Sequence, residues 1–168
     1  EKALAQVKIN FRVTKEGLSE TVLNGLNVER EIREMRVSEN VSEVSALPIV
    51  RHAMVDQQRR MGKERAVVMD GRDIGTQVFP GADVKFYLDA SQEERARRRH
   101  AEAAARGERP SLEAVRSEVL SRDQRDMGRA AGPLTAAPDA VRLDTTALPP
   151  EAVVEAMLAV VRQRQQGR

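Results

Sequence analysis

Two acidic residues flank an arginine beside two glycines, directly after a run of apolar residues. The segment is Met69-Asp-Gly-Arg-Asp-Ile-Gly-Thr76, and its charged members are Asp70, Arg72 and Asp73. Arg72 could hold a phosphate through paired hydrogen bonds, and a carboxylate could hold a metal-bound water or accept from a base amine. The alternative is a solvated loop with a local ion pair. Because charged loops on rigid strands often form sites, the segment is a candidate ligand-binding loop.

A second charged group has the spacing of one helical face. Arg122, Asp126 and Arg129 follow one another at intervals of four and three residues. Earlier on the same helical face lie Val115 and Val119, two apolar residues that are expected to face the core. The face is therefore apolar at its start and charged from Arg122 onward. A charge on such a face needs a partner, since unpaired burial is costly. The alternative is a ladder of salt bridges within one helix, and both interpretations stay open at this point.

A third group is the basic run Glu94-Arg-Ala-Arg-Arg-Arg99. It precedes Gly107-Glu-Arg-Pro110, the best candidate for a mobile loop. Its arginines Arg95, Arg98 and Arg99 share one side of a predicted helix and could form a lid that carries cations over a polyphosphate. The alternative, which is the commoner one for such runs, is a solvated basic face.

The composition limits the kinds of site that the chain can build. The absence of cysteine excludes disulfides and thiolate metal sites, and the two histidines, His52 and His100, have no ligand partners at metal-binding spacing. Any metal should therefore be Mg²⁺, held mainly by phosphates and water.

The charge balance gives little support to a nucleic-acid partner. Lys and Arg number 28 against 26 Asp and Glu, a net charge of +2, and aromatic residues make up only 2% of the chain. Few aromatic side chains are thus available to stack on single strands. No apolar run has the length of a membrane span, and no signal-peptide pattern occurs. We expect a monomeric, cytoplasmic protein that binds neither nucleic acid nor membrane.

The first part of the chain reads as a small β unit followed by helices. Alternating apolar residues at 7–13 and 20–23, separated by Lys15-Glu-Gly17, predict an antiparallel hairpin. Asn24-Gly25 then turns the chain toward Val28. From 29 to about 61 the pattern is helical, with a new helix starting at Pro48 and an end at Gly62.

The second part alternates strands with helices, which predicts a doubly wound α/β layer. Apolar runs at 66–69 and 84–89 predict parallel strands buried on both faces, and 141–144 a weaker third. Helices are predicted at 92–105, where Ser91 and Glu94 match a capping box, and at 112–130 and 150–165. Ligands of such sheets bind beyond the carboxyl ends of the strands. We therefore expect residues 70–73 and 122–129 to converge on one cleft.

Several segments together resemble bacterial cytidylate kinase, a nucleoside-monophosphate kinase with the P-loop fold. They are Val41-Ser-Glu-Val-Ser-Ala-Leu-Pro-Ile-Val-Arg51, Asp70-Gly-Arg-Asp-Ile-Gly-Thr-Gln-Val-Phe-Pro80, Phe86-Tyr-Leu-Asp-Ala-Ser-Gln-Glu-Glu-Arg95 and Arg122-Asp-Gln-Arg-Asp-Met-Gly-Arg129. The likeness covers essentially the whole chain in order. It implies an α/β fold with a parallel sheet, flanking helices and a small antiparallel insert. It also implies transfer of the γ-phosphate of ATP to CMP or dCMP, with Mg²⁺.

The resemblance implies a role for each matching residue. Ser42, Arg51 and Asp73 would read the cytosine ring, because a carboxylate that accepts from the N4 amine favours cytosine over uracil. The remaining roles concern phosphate, sugar and metal. Arg72 and Arg129 would hold the acceptor phosphate, Arg122 and Asp126 the sugar hydroxyls, and Asp70 a Mg²⁺-bound water.

The resemblance also divides the chain. Residues 1–47 would be the monophosphate-binding insert and 48–168 the rest of the kinase core, with a lid at about 96–115 that carries Arg95, Arg98 and Arg99. Related kinases begin with a strand and a Gly-x-x-x-x-Gly-Lys loop, a motif that does not occur in these 168 residues. We therefore expect that the chain starts inside a longer protein and is inactive alone.

Two other functions stay open from the residues themselves. One is a kinase of the same fold that acts on UMP or another small substrate. The other is a basic, non-catalytic module that binds nucleic acid, in which the arginine clusters would contact a phosphate backbone.

Overall fold

A computed structural model describes residues 2–63, 66–128, 130 and 132–167. The chain divides into two compact units, Glu1–Val68 and Met69–Arg168. The sequence analysis placed a functional boundary between residues 47 and 48, and the assignment of residues 1–47 as a substrate-binding insert stays a prediction. No helix in the described ranges is long and apolar enough to span a membrane.

The first unit begins with a small antiparallel sheet, as the alternating pattern predicts. A single helical turn, α1 (Lys2–Ala5), precedes β1 (Ile9–Val13), β2 (Ser19–Leu23) and β3 (Leu26–Asn27). The strands pair in the order β1-β2-β3, with Ile9 opposite Leu23 and Val13 opposite Ser19. Asn24 and Gly25 both have positive φ, the conformation that a two-residue hairpin loop requires.

Two helices follow this sheet. A 3₁₀ turn at Glu31–Arg33 leads into α2 (Met35–Ala46), and α3 (Pro48–Lys63) starts at the predicted proline. Helix α3 continues one residue past Gly62, the predicted end. The side-chain amide of Gln57 on α3 donates to the carbonyl of Val7 at 3.0 Å and accepts from the amide of Ile9 at 3.4 Å. These bonds fix the start of β1 on α3.

The second unit contains the parallel pairing that the apolar runs predict. Strands β4 (Phe86–Asp89) and β5 (Val141–Asp144) lie parallel, with Phe86 opposite Val141 and Asp89 opposite Asp144. The helices are α4 (Gln92–Ala105), α5 (Leu112–Met127) and α6 (Pro150–Gln166). Helix α5 ends at Met127, before the predicted residue 130, with Gly128 as its C-cap residue. The α/β class with a parallel sheet and flanking helices is confirmed.

The prediction of a buried strand at 66–69 is wrong. Residues 66–70 have no regular structure, and Val68 is 99% exposed. A buried strand needs hydrogen-bonded neighbours for its backbone groups. In the part of the chain that the structure describes, β4 pairs with β5, and no strand pairs with residues 66–70. The apolar run consequently has no ladder in which to be buried.

A π-helical turn at Ile74–Val78, which the sequence analysis did not predict, follows the charged loop. The carbonyl of Asp73 accepts from the amides of Thr76, Gln77 and Val78, and the Val78 side chain is buried. Such turns are rare and occur frequently at functional sites. The turn fixes the backbone directly after Asp73.

The predicted capping box at the start of α4 forms only in part. The Ser91 hydroxyl accepts from the amide of Glu94 at 3.2 Å, as the pattern predicts. The Glu94 carboxylate instead accepts from Arg97 and Arg98, and the Ser91 amide donates to the Thr146 hydroxyl at 2.8 Å. The start of α4 is therefore bonded to the segment after β5, which no local motif could indicate.

Helices α4 and α5 pack through small side chains. Ala96 and Ala103 of α4 and Val115 of α5 are buried. Short side chains on the facing surfaces allow the two helices to approach closely. Gly107 then adopts the positive φ that ends many helices, and the chain turns toward α5.

One carboxylate of the first unit, that of Glu29, should make the stability of this unit fall at acid pH. Hydrogen bonds from Arg33, and from the Thr21 hydroxyl and amide, lower the pKa of Glu29 to about 2 from an ordinary value of 4.5. Because the folded pKa is the lower one, the stabilisation is complete above about pH 4.5 and is lost as the pH falls toward 2. Over this range the free energy of unfolding of Glu29→Gln should fall less than that of the unsubstituted protein. The measurement is urea unfolding at a series of pH values. The exposed Glu31→Gln is the control, and an unchanged acid response in Glu29→Gln would contradict the assignment.

A candidate anion-binding cleft

The charged loop and α5 meet at a buried carboxylate. Arg72 Nε donates to Asp126 Oδ2 at 2.9 Å, although the two residues are 54 positions apart. Arg122 Nε lies 3.8 Å from the same oxygen, one helical turn earlier on α5. The Asp126 side chain is 1% exposed, whereas Arg72 and Arg122 are 42% and 43% exposed. The structure therefore brings together three of the predicted site residues, which local helical pairing alone would not do.

Among the described residues, two guanidinium groups, those of Arg72 and Arg122, lie beside this one carboxylate. Burial, and then the nearby charge of Arg72, lower the pKa of Arg122, while Asp126 acts in the opposite direction. An arginine side chain keeps its charge in proteins, so a bound anion, rather than loss of a proton, would relieve the repulsion between Arg72 and Arg122. The arrangement fits a phosphate or another small anion.

Arg72 and Arg122 line a cleft of about 250 Å³, called here the arginine cleft. Its wall is formed by α4, α5 and the charged loop, and the lining residues are Arg72, Arg95, Arg98, Arg99, Glu102, Glu118, Val119, Arg122 and Asp123. Five arginines face three carboxylates, which leaves the lining positive. A cleft lined mainly by one sign of charge raises the local concentration of ligands of the opposite sign.

The three predicted lid arginines have different partners. Arg95 forms an ion pair with Asp123 of α5 and donates to the carbonyl of Ala90 at 3.1 Å. Arg99 lies 3.6 Å from the exposed carboxylate of Glu102. Arg98 is bonded to Glu94 and to residues that follow β5, as described below. Their predicted movement as a lid stays a prediction.

The other predicted site residues are distributed over both units. Asp70 is exposed, and Asp73 is half-buried before the π-helical turn. Ser42 lies on α2 and Arg51 on α3, both in the first unit. Arg129 lies outside the described residues. The roles given to these residues in reading a base, holding a phosphate or organising a metal stay predictions.

Sequence reasoning missed two residues that support the cleft. Asp123 pairs with Arg95 across 28 positions, and Thr145 bonds to Arg98 across 47. Both bonds join distant segments, so no spacing rule for one helix could find them. The only available signal was the position of Thr145 directly after a predicted strand, where ligand sites of parallel sheets concentrate.

The sequence matches the protein-family model described as Cytidylate kinase over residues 1–163. Curated relatives with the name Cytidylate kinase include one from Bacteroides thetaiotaomicron, 48% identical over 149 residues, which are 88% of this chain and 65% of the relative. A second, from Syntrophotalea carbinolica, is 46% identical over 162 residues, or 96% and 68% of the two chains. A third, from Geobacter sp. (strain M21), is 50% identical over 141 residues, or 84% and 60%. The chain thus spans about two thirds of the length of the relatives it matches.

Loss of Arg72 should destabilise the second unit through the buried carboxylate. Arg72→Ala removes the guanidinium that lies 2.9 Å from Asp126 Oδ2. A hydrogen bond to a buried charged group contributes about 1–3 kcal/mol, so we expect the free energy of unfolding to fall by about that amount in urea unfolding.

A matched control is available for this measurement. Arg106 is 38% exposed, similar to Arg72, but its partner Glu108, 2.8 Å away, is 41% exposed. Arg106→Ala should change the free energy of unfolding by less than about 0.5–1 kcal/mol, because surface ion pairs are worth little. Equal effects of the two substitutions would show that the burial of Asp126 does not matter.

Proposed function

The chain belongs to the cytidylate kinase family, and we propose that this protein transfers the γ-phosphate of ATP to CMP or dCMP, giving CDP or dCDP. The observation that carries the proposal is the pair of arginines, Arg72 and Arg122, held at one buried carboxylate in a positive cleft. Because the chain spans about two thirds of its relatives and contains no Gly-x-x-x-x-Gly-Lys motif, the activity is proposed for the protein as its gene encodes it.

The chemistry of the proposed reaction suits an arginine-lined cleft. Phosphoryl transfer depends mainly on positioning and on neutralising charge on the transferring group, and it needs little covalent help from the protein. Arg72 uses Nε to bind Asp126, an arrangement in which its terminal nitrogens can form paired bonds with the acceptor phosphate. In the proposal Arg129 is the second phosphate ligand, and Arg122 and Asp126 bind the sugar hydroxyls.

The choice of base would depend on groups that distinguish an amine from a carbonyl. Asp73, Ser42 and Arg51 are proposed to contact the cytosine ring. A carboxylate accepts from the N4 amine of cytosine, whereas uracil presents an acceptor at that position. A site built in this way rejects the wrong base because its own polar groups are left unpaired.

ATP as donor and Mg²⁺ as cofactor are part of the same proposal. Asp70 is exposed and offers hard carboxylate oxygens, the ligand type that Mg²⁺ binds directly or through water. The metal would neutralise phosphate charge during transfer. We further propose that the enzyme is a cytoplasmic monomer that requires neither nucleic acid nor membrane.

The proposed activity and the proposed base selectivity are tested together by steady-state kinetics. The protein as its gene encodes it should phosphorylate CMP with ATP and Mg²⁺, and it should prefer CMP to UMP. Asp73→Ala should lower the ratio of kcat/KM for CMP to that for UMP by about tenfold or more, since one base-reading contact contributes about 1–3 kcal/mol of discrimination. Asp73→Asn should shift preference further toward UMP, because an amide can donate to a carbonyl.

The control for this experiment is Asp56→Asn, at an exposed position of α3, which should leave the ratio unchanged. If Asp73→Ala keeps the full preference for CMP, the proposed role of Asp73 is refuted, but the proposed kinase activity is not. Tight, steeply salt-dependent binding of nucleic acid, with no phosphorylation of CMP, would refute the proposed function as a whole.

A further inference from the structure

Arg98 lines the arginine cleft, yet its guanidinium group is bonded to the protein itself. Nε donates to Glu94 Oε1 at 2.7 Å, and Nη1 donates to the Thr145 hydroxyl at 3.1 Å. Nη2 donates to the Thr145 carbonyl at 2.5 Å and lies 3.5 Å from the carbonyl of Leu148. All three nitrogens of the fork are thus engaged, which is the geometry that arginine uses for rigid binding.

Apart from Glu94, the acceptors of Arg98 belong to a tight turn between β5 and α6, called here the β5–α6 turn (Thr145–Leu148). The Leu148 amide donates to the Thr145 carbonyl at 3.1 Å and closes the turn. Thr145 is 5% exposed, and both its amide and its hydroxyl donate to the carbonyl of Asp89, at 2.7 and 2.9 Å. Arg98 therefore bonds to both ends of a turn that is itself fixed to the end of β4.

The position of this turn gives the bonds a functional meaning. It directly follows the carboxyl end of β5 and is bonded to the carboxyl end of β4, the edge at which open parallel sheets bind their ligands. Arg98 comes from α4, which also forms one wall of the arginine cleft. One side chain therefore couples the cleft wall to the ligand-binding edge of the sheet.

The donors of Arg98 are already engaged, although Arg98 shares the Glu94 carboxylate with Arg97. Hydrogen bonds from Arg97, and then from Arg98, lower the pKa of Glu94 to about 2, so this carboxylate is ionised at neutral pH. Arg99, in contrast, lies 3.6 Å from a carboxylate that is 61% exposed, a pair that solvent weakens. Of the two neighbouring arginines, Arg99 is the one with charge available to a ligand.

We propose that Arg98 is a positioning residue, which holds the β5–α6 turn against α4 and fixes one wall of the arginine cleft. In this assignment Arg98 does not carry charge to a bound polyphosphate, and Arg99 does. The structural half of the inference stands by itself, while the ligand half rests on the proposed function.

The test compares Arg98→Ala, Arg98→Lys, Arg99→Ala and Arg97→Ala in the protein as its gene encodes it. Arg97 is the matched control, since it binds the same Glu94 carboxylate at 2.7 and 2.8 Å but is 67% exposed, against 36% for Arg98. Hydrogen exchange is measured at the amide of Leu148, with amides of α6 as the internal reference. Isothermal titration measures the binding of inorganic tripolyphosphate at several ionic strengths.

We expect Arg98→Ala to speed exchange at Leu148 by about tenfold relative to α6, and Arg97→Ala by less than about twofold. Arg98→Lys should rescue part of the effect, because an ammonium group can hold a carbonyl but not the whole set of acceptors. Arg98→Ala should bind tripolyphosphate with an unchanged dependence on ionic strength, whereas Arg99→Ala should bind it more weakly and with a flatter dependence.

Unchanged exchange at Leu148 in Arg98→Ala would overturn the proposal, as would a flattened ionic-strength dependence in the same variant. If Arg98→Ala does not fold, Arg98→Lys decides between the same outcomes. If the parent protein binds no tripolyphosphate, the exchange at Leu148 still decides the role of Arg98, and the failure falls on the proposed function instead.

Discussion

The carboxylate of Asp126 is almost completely removed from water, and a carboxylate buried in this way needs cationic partners to compensate its lost hydration. Arg72 supplies that compensation from a loop 54 residues earlier, and Arg122 adds a second positive charge from the preceding turn of α5. This requirement fixes the charged loop to the helix. It also places the guanidinium groups of Arg72 and Arg122 beside each other, the arrangement on which the proposed anion site rests.

Helix α4 extends this arrangement to the rest of the second unit. Arg95 connects α4 to α5 through Asp123, and Arg98 connects it to the β5–α6 turn. Two arginines of one basic run in the sequence therefore reach different distant segments, Arg95 reaching α5 and Arg98 the β5–α6 turn. A run of like charges is stable on one helix because carboxylates and carbonyls from three other segments accept their hydrogen bonds.

Several elements followed from local sequence alone, because their causes are local. Asn24-Gly25 fixes a hairpin turn, Pro48 starts a helix, and the Ser91 hydroxyl caps α4, each through groups a few residues apart. The apolar run at 66–69 shows the limit of such reasoning. Its composition is that of a buried strand, but burial requires a neighbouring ladder, and hydropathy does not state whether that ladder is present.

The amino-acid sequence by itself determined the α/β class, the parallel pairing of the strands at 86–89 and 141–144, and the residue types suited to phosphate. Only the tertiary structure decided which of those charges meet. It placed Arg72 closer than Arg122 to Asp126, and it directed Arg98 to Thr145 rather than to the cleft alone. The reason is physical: caps, turns and periodicity act over a few residues, whereas the partner of a buried charge is set by the packing of segments about fifty positions apart.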